Sequence, residues 1–281
     1  MALRAWDNFL PGLNAARAHF GAGPLAHVHE QTLSAGRHLL ATSRSFDFPA
    51  ERLPDHVRYV GPLLEMPSWA RERWAGQPAH DMQPLVLVSF STTNQGQADV
   101  LQRVISGLTG MPVQVVVTLG KALEGLRLQA PANVAVLANA SHNDLLARAR
   151  LVITHGGHGT VIRSLCHGVP LVVLPMGRDQ NDNAARVEYH GAGLRLDPSA
   201  SPYMLGEAVR RVLCEPGFAE RALMLARAIA QEGPGPARLV AEVEDFVSRS
   251  SFRAPGACQP PITAGTPIYT VPTSSLLSCH P

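Results

Sequence analysis

Leu151-Val152-Ile153-Thr154 runs without a break into His155-Gly156-Gly157-His158-Gly159-Thr160, and the next residues carry helical spacing. A short, wholly apolar run followed by glycines and then a helix reads as a buried strand turning into a helix. Glycines at such a junction let the backbone come close to a ligand. The first amides of the helix then point at it, and the helix dipole favours an anion there. His155 can donate to a phosphate oxygen, more strongly if protonated, and Thr160 offers an amide and a hydroxyl. The alternative is a tight turn whose glycines serve only packing. A dinucleotide fingerprint is excluded: counted from Gly157, the third glycine of G-x-G-x-x-G falls on Ile162.

Working outward, four more β-prone runs lie at 85–90, 113–119, 134–137 and 171–174, with helical patterns at 97–108, 142–149, 160–167 and 181–189 between them. Short strands that are apolar on both faces and alternate with helices predict a parallel sheet covered on both sides. Right-handed crossovers make this a doubly wound, Rossmann-like domain. Three further helices are expected near 202–214, 217–231 and 236–248. On the amino side, 3–20 and 25–35 read as helices, and two short apolar stretches at 38–42 and 57–60 are separated by prolines. The Trp- and Pro-containing 67–84 reads as a linker, and the Pro/Ser/Thr-rich end as a disordered tail.

In a parallel sheet the loop after 171–174 emerges on the same edge as the glycine turn. It contains Pro175-Met176-Gly177-Arg178-Asp179-Gln180-Asn181-Asp182-Asn183. Asp179 can accept two hydrogen bonds from neighbouring hydroxyls and Gln180 can donate and accept, which suits a sugar ring. Asp179 as a plain helix N-cap is the alternative.

Bulk composition narrows the classes. The chain has 281 residues, 46% hydrophobic and 16% charged, with formal net charge +2. That charge is too small to suggest a nucleic-acid or anionic-membrane partner. The four cysteines are far apart and form neither a zinc site nor a disulfide framework. No apolar run is long enough to span a bilayer, and the start lacks a signal-peptide pattern, so a cytoplasmic protein is expected.

Residues 154–184 resemble the signature of the GT-B glycosyltransferases that use UDP- or TDP-sugars, a group including macrolide glycosyltransferases and glucuronosyltransferases. The matching positions are His155, Gly157 and Thr160, then Gly168 and Pro170, then Pro175, Asp179, Gln180, Asn183 and Ala184. The resemblance covers about 85–246. It implies a GT-B-type α/β chain with one complete Rossmann-like donor half and a partial acceptor domain. Its expected division is 1–66 (acceptor-domain remnant), 67–84 (linker), 85–249 (nucleotide-sugar-binding domain) and 250–281 (tail). By resemblance, His155, Gly156, Gly157, Gly159 and Thr160, with Ser91 and Thr92, hold the donor diphosphate. Asp179 and Gln180 hold the sugar, and His142 lies near the nucleobase. Arg163 stands where many members carry a ribose-binding glutamate.

The implied reaction is inverting transfer of a hexose to a hydroxyl of a small or lipid-like hydrophobic acceptor. The nucleotide sugar is a co-substrate, and neither a metal nor a cofactor is expected. The family's early Gly-His segment, with its general base, has no match here, so the amino terminus reads as truncated. His19, His27, His29, His38 and His80 are the substitute bases available, His29 with Glu30 beside it. The sequence is silent on whether a partner chain completes the acceptor side. Two other functions stay open at this point: a remnant that binds nucleotide without transfer, and a nucleotide-sugar epimerase.

Overall fold

The computed structural model describes residues 2–33, 35–50, 52–64, 83–90, 96–120, 123, 125–138 and 140–249. Ser91, Thr92, His80, nearly all of the expected linker and the expected tail lie outside these residues.

Six strands form one parallel sheet: β3 (Leu85–Ser89), β4 (Gln114–Thr118), β5 (Val134–Leu137), β6 (Ala149–Thr154), β7 (Leu171–Val173) and β8 (Gly193–Arg195). A further parallel pair, β1 (His38–Leu40) and β2 (Val57–Tyr59), stands apart from it. The large sheet runs β5-β4-β3-β6-β7-β8. Chain direction across it reverses between β3 and β6, and this switch opens a crevice at the carboxyl ends of those two strands.

Alternation along each strand explains why both faces are covered. Val86, Val88 and Phe90 enter one core with Val115, Val117, Leu151, Ile153 and Val172. Leu85, Leu87, Val116, Val152, Leu171 and Val173 enter the other. With successive side chains on opposite faces, only an unbroken apolar run can fill two cores at once. Each such side chain contributes about 1.5–3 kcal/mol by leaving water.

Helices α3 (Ala98–Leu108) and α7 (Pro202–Cys214) cover the first face through Leu101, Ile105, Leu205 and Val209. They cross closely at Gly107, where a Cβ would stand 2.5 Å from the Pro202 carbonyl oxygen. Helices α5 (His158–Cys166), α6 (Gln180–Tyr189) and α8 (Pro216–Gln231) cover the second. The short α4 (His142–Leu146) precedes β6, and α9 (Gly235–Arg249) ends the described chain.

The amino-terminal segment begins with a 3-10 helix (Ala2–Phe9), α1 (Leu10–His19) and α2 (Glu30–Leu33). The helix expected over 25–35 shrinks to α2. Asp7 takes the Val28 amide at 3.0 Å and Glu30 takes the Ala26 amide at 2.8 Å, so side chains bind amides in the turn that leads into the helix. Strand β8 was not legible in the sequence: Gly193-Leu194-Arg195 is too short to show a period.

Several side chains and amides between Arg37 and Tyr59 bond to α6, α9 and the residue that follows α8. Phe46 is buried in the second core. Glu232 accepts from the Ser43 hydroxyl and the Arg44 and Ser45 amides. Asp47 receives Arg186 at 2.8 Å and the Tyr59 hydroxyl at 2.6 Å, and Arg37 bridges Glu242 and Asp245.

Candidate functional site

The glycine turn lies at the carboxyl end of β6, beside the switch point. Gly157 caps α5 with extended backbone, so the helix begins at His158, two residues earlier than the periodicity suggests. Thr160 does not offer its amide to a ligand. That amide closes the first helical turn on the Gly157 carbonyl at 3.1 Å, as does that of Val161. Among the described residues, no protein acceptor takes the amides of Gly157, His158 and Gly159 in this turn. Gly159 is exposed, and a Cβ there would meet nothing within 4 Å. Open amides and open space at the positive end of a helix favour an anion there.

Gly156 shapes the turn. Its φ is +93°, and a Cβ would lie 2.8 Å from Val173 Cγ1. Its amide donates to Thr154 Oγ1 at 3.3 Å and its carbonyl accepts from Asn183. Both polar groups are thus occupied by the protein.

His155 is 7% exposed, packed beside the Phe90 ring and against Gly157, where a Cβ would come within 2.7 Å of its Nε2. Burial pulls its pKa down to about 4; the Asp179 charge pulls the other way and Arg178 reinforces the drop. The imidazole is therefore neutral at pH 7, and the protonated donor considered from sequence is not the form this burial favours. Thr154 Oγ1 lies 3.4 Å from Nδ1. With the Gly156 amide on its oxygen, that hydroxyl can donate to Nδ1, which puts the ring proton on Nε2, beside the cap of α5.

The second loop is locked to the first. Asn183, 5% exposed, donates through Nδ2 to the Gly156 carbonyl and to Asp179 Oδ2, both at 2.9 Å. Sequence reasoning counted Asn183 as a motif position without seeing this bridge. Asp179 occupies the N-cap position of α6, but its side chain makes no cap hydrogen bond. It is exposed and held by Asn183. Gln180 is 2% exposed, and its Oε1 accepts the Met176 amide at 2.7 Å, bracing the loop from within. Asp179 and Gln180 therefore differ in role: one faces outward, the other fastens the turn.

His142 sits in the first turn of α4, beyond β5 on the same sheet edge, half-buried, with Nε2 3.2 Å from Thr118 Oγ1. Burial, then the Arg163 charge, lowers its pKa to about 4. His158 points away from the turn and meets Thr42 Oγ1 at 2.8 Å, joining α5 to the amino-terminal segment.

Of the candidate bases, it is His27 that has a carboxylate: Asp7 Oδ2 lies 2.8 Å from its Nδ1. His29 stacks on His27 at 5.4 Å, while Glu30, its expected partner, takes the Ala26 amide instead. Among the described residues no three His, Cys, Asp or Glu side chains gather as a metal site, and no helix is long and apolar enough to cross a membrane.

A family profile described as "Erythromycin biosynthesis protein CIII-like, C-terminal domain" matches residues 102–246. The 4'-demethylrebeccamycin synthase of Lentzea aerocolonigenes is 36% identical over 191 residues, covering 67% of this chain and 45% of that protein. The calicheamicin glycosyltransferase CalG4 superposes with TM-score 0.69 at 28% identity, over 86% of this chain and 59% of that one. The spinosyn rhamnosyltransferase SpnG complexed with thymidine diphosphate gives 0.59 at 25% identity, over 82% and 60%. The chain spans about half the length of the curated relatives it matches. With a family profile matching just over half of the chain and a parallel sheet that superposes on a solved glycosyltransferase, the chain belongs to the erythromycin biosynthesis protein CIII-like C-terminal domain family of GT-B glycosyltransferases.

Proposed function

We propose that this chain is the donor-binding half of a glycosyltransferase that moves a hexose from a UDP- or TDP-sugar to a hydroxyl of a small or lipid-like hydrophobic acceptor, with inversion at the anomeric carbon. The diphosphate sits against the His158 and Gly159 amides, with His155 Nε2–H as a neutral donor and the Thr160 hydroxyl alongside. By the family resemblance, Ser91 and Thr92, which follow β3 in the sequence, belong to the same diphosphate-binding set. Asp179 accepts from sugar hydroxyls while Gln180 keeps its loop in place, and the nucleobase lies toward His142. The division into 1–66, 67–84, 85–249 and 250–281 belongs to this reading.

The observation that carries it is the Asn183 bridge. One buried amide holds the anion receptor and the exposed carboxylate together at the switch point of the sheet, where this architecture binds nucleotides. Rebeccamycin, calicheamicin and spinosyn enzymes among its relatives, one of them seen with thymidine diphosphate, support the donor and acceptor classes. The test is calorimetric titration of the purified chain with UDP, TDP and their glucose conjugates. Binding is expected, and His155→Ala weakens it. A folded chain that binds none of the four overturns the reading.

A further inference from the structure

Arg178 is the one non-glycine among the described residues with positive φ, at 56°. A long side chain in this left-handed region is held at a conformational cost that glycine avoids. The neighbouring Gly177 has φ 137°, and the turn is pinned on both sides, by Gln180 Oε1 on the Met176 amide and by Asn183 on Asp179 and Gly156. The loop is thus fastened on both sides, and it presents an exposed Arg178 in the left-handed conformation. Among the described residues no hydrogen bond or ion pair takes up the guanidinium, and the residue is exposed. Fold stability does not explain an arginine here, since nothing in the protein is gained by it. Unrelieved strain at a pinned, exposed position points to a ligand.

Charge balance indicates which ligand. A nucleoside diphosphate brings at least two negative charges into a turn whose own donors are neutral: backbone amides, a hydroxyl and an imidazole uncharged at pH 7. Arg178 is the cation whose field reaches His155 in that turn. Its neighbour Asp179 is on the sugar side, so the phosphate it meets is the one bonded to the sugar.

Resting on the donor-site reading above, we propose that Arg178 is an electrostatic catalytic residue that contacts the sugar-linked phosphate and stabilises it as it leaves. In the transfer the C1–O bond to that phosphate breaks with its electron pair passing to the phosphate oxygen. C1 bonds the acceptor oxygen, and the acceptor proton passes to a general base or water. Arg178 stays protonated throughout and offsets the added negative charge.

The test compares UDP with UMP, and TDP with TMP, by calorimetry on the wild-type chain, Arg178→Gly and Arg178→Lys. Glycine relieves the backbone strain, so Arg178→Gly is expected to melt higher than wild type yet bind the diphosphate about 10- to 100-fold more weakly, with the monophosphate changed less than about threefold. Arg178→Lys restores part of the loss and keeps the salt dependence that glycine removes. Diphosphate affinity unchanged in a stabilised Arg178→Gly overturns the inference and leaves the donor site standing. Equal losses for diphosphate and monophosphate overturn the assignment to the sugar-linked phosphate. A wild-type chain that binds no nucleotide overturns both.

Discussion

Replacing Asn183 with alanine cuts the single side chain that joins the glycine turn to the sugar loop. Two hydrogen bonds are lost, each 2.9 Å long in the intact protein. The one to Asp179 is charge-assisted, worth about 1.5–3 kcal/mol, but Asp179 is exposed and regains water, so the lower end applies. The one to Gly156 leaves a buried carbonyl without its partner, about 1–3 kcal/mol. The net loss is therefore about 2.5–4.5 kcal/mol, or roughly 5–18 °C in melting temperature for a chain of this size. Urea unfolding followed by circular dichroism measures the first figure, a thermal melt the second. Asn183→Asp preserves the shape but aims carboxylate oxygens at the Gly156 carbonyl and at Asp179. At pH 7 it is expected to be less stable than Asn183→Ala. Titration should show UDP-glucose losing more affinity than UDP, because Asp179 is freed while the α5 amides remain. An Asn183→Ala chain melting within about 2 °C of wild type, or an Asn183→Asp chain more stable than it at pH 7, would refute the bridge.

Two more outcomes are expected. The folded-state pKa values of His155 and His142, both about 4, are depressed below the unfolded value near 6.5, so their contribution is complete above pH 6.5 and is lost as pH falls toward 4. Each imidazole then removes up to about 1.4 kcal/mol per pH unit, and melts at pH 7, 6 and 5 should show a steady drop that His155→Gln partly flattens; a flat profile would contradict the burial argument. Gly159→Ala adds a methyl to exposed helix, with nothing within 4 Å, and should stabilise the chain by about 0.5–1 kcal/mol. The same methyl fills the space before the α5 amides, so diphosphate affinity should fall, and unchanged affinity would move the phosphate elsewhere.

Much of this protein was legible in one dimension. Runs such as Leu85-Val86-Leu87-Val88 can only be strands buried on both faces, and their alternation with helices implies a parallel sheet. Glycines following a strand and preceding a helix mark a ligand edge, because backbone geometry and helix amides are local properties. Residue spacing alone also excluded the dinucleotide fingerprint. Tertiary structure decided the rest. The open amides are those of Gly157, His158 and Gly159 and not that of Thr160, because where a helix begins depends on which carbonyl its first amides reach. Burial between Phe90 and Gly157 made His155 neutral, and no local pattern reveals how deep a histidine lies. Asn183 became the link between two loops, and Arg178 a strained, exposed cation, only once strands β6 and β7 lay side by side. Sequence supplies the groups and their order along the chain. Which of them share a site, and in what charge state, depends on distances across the fold.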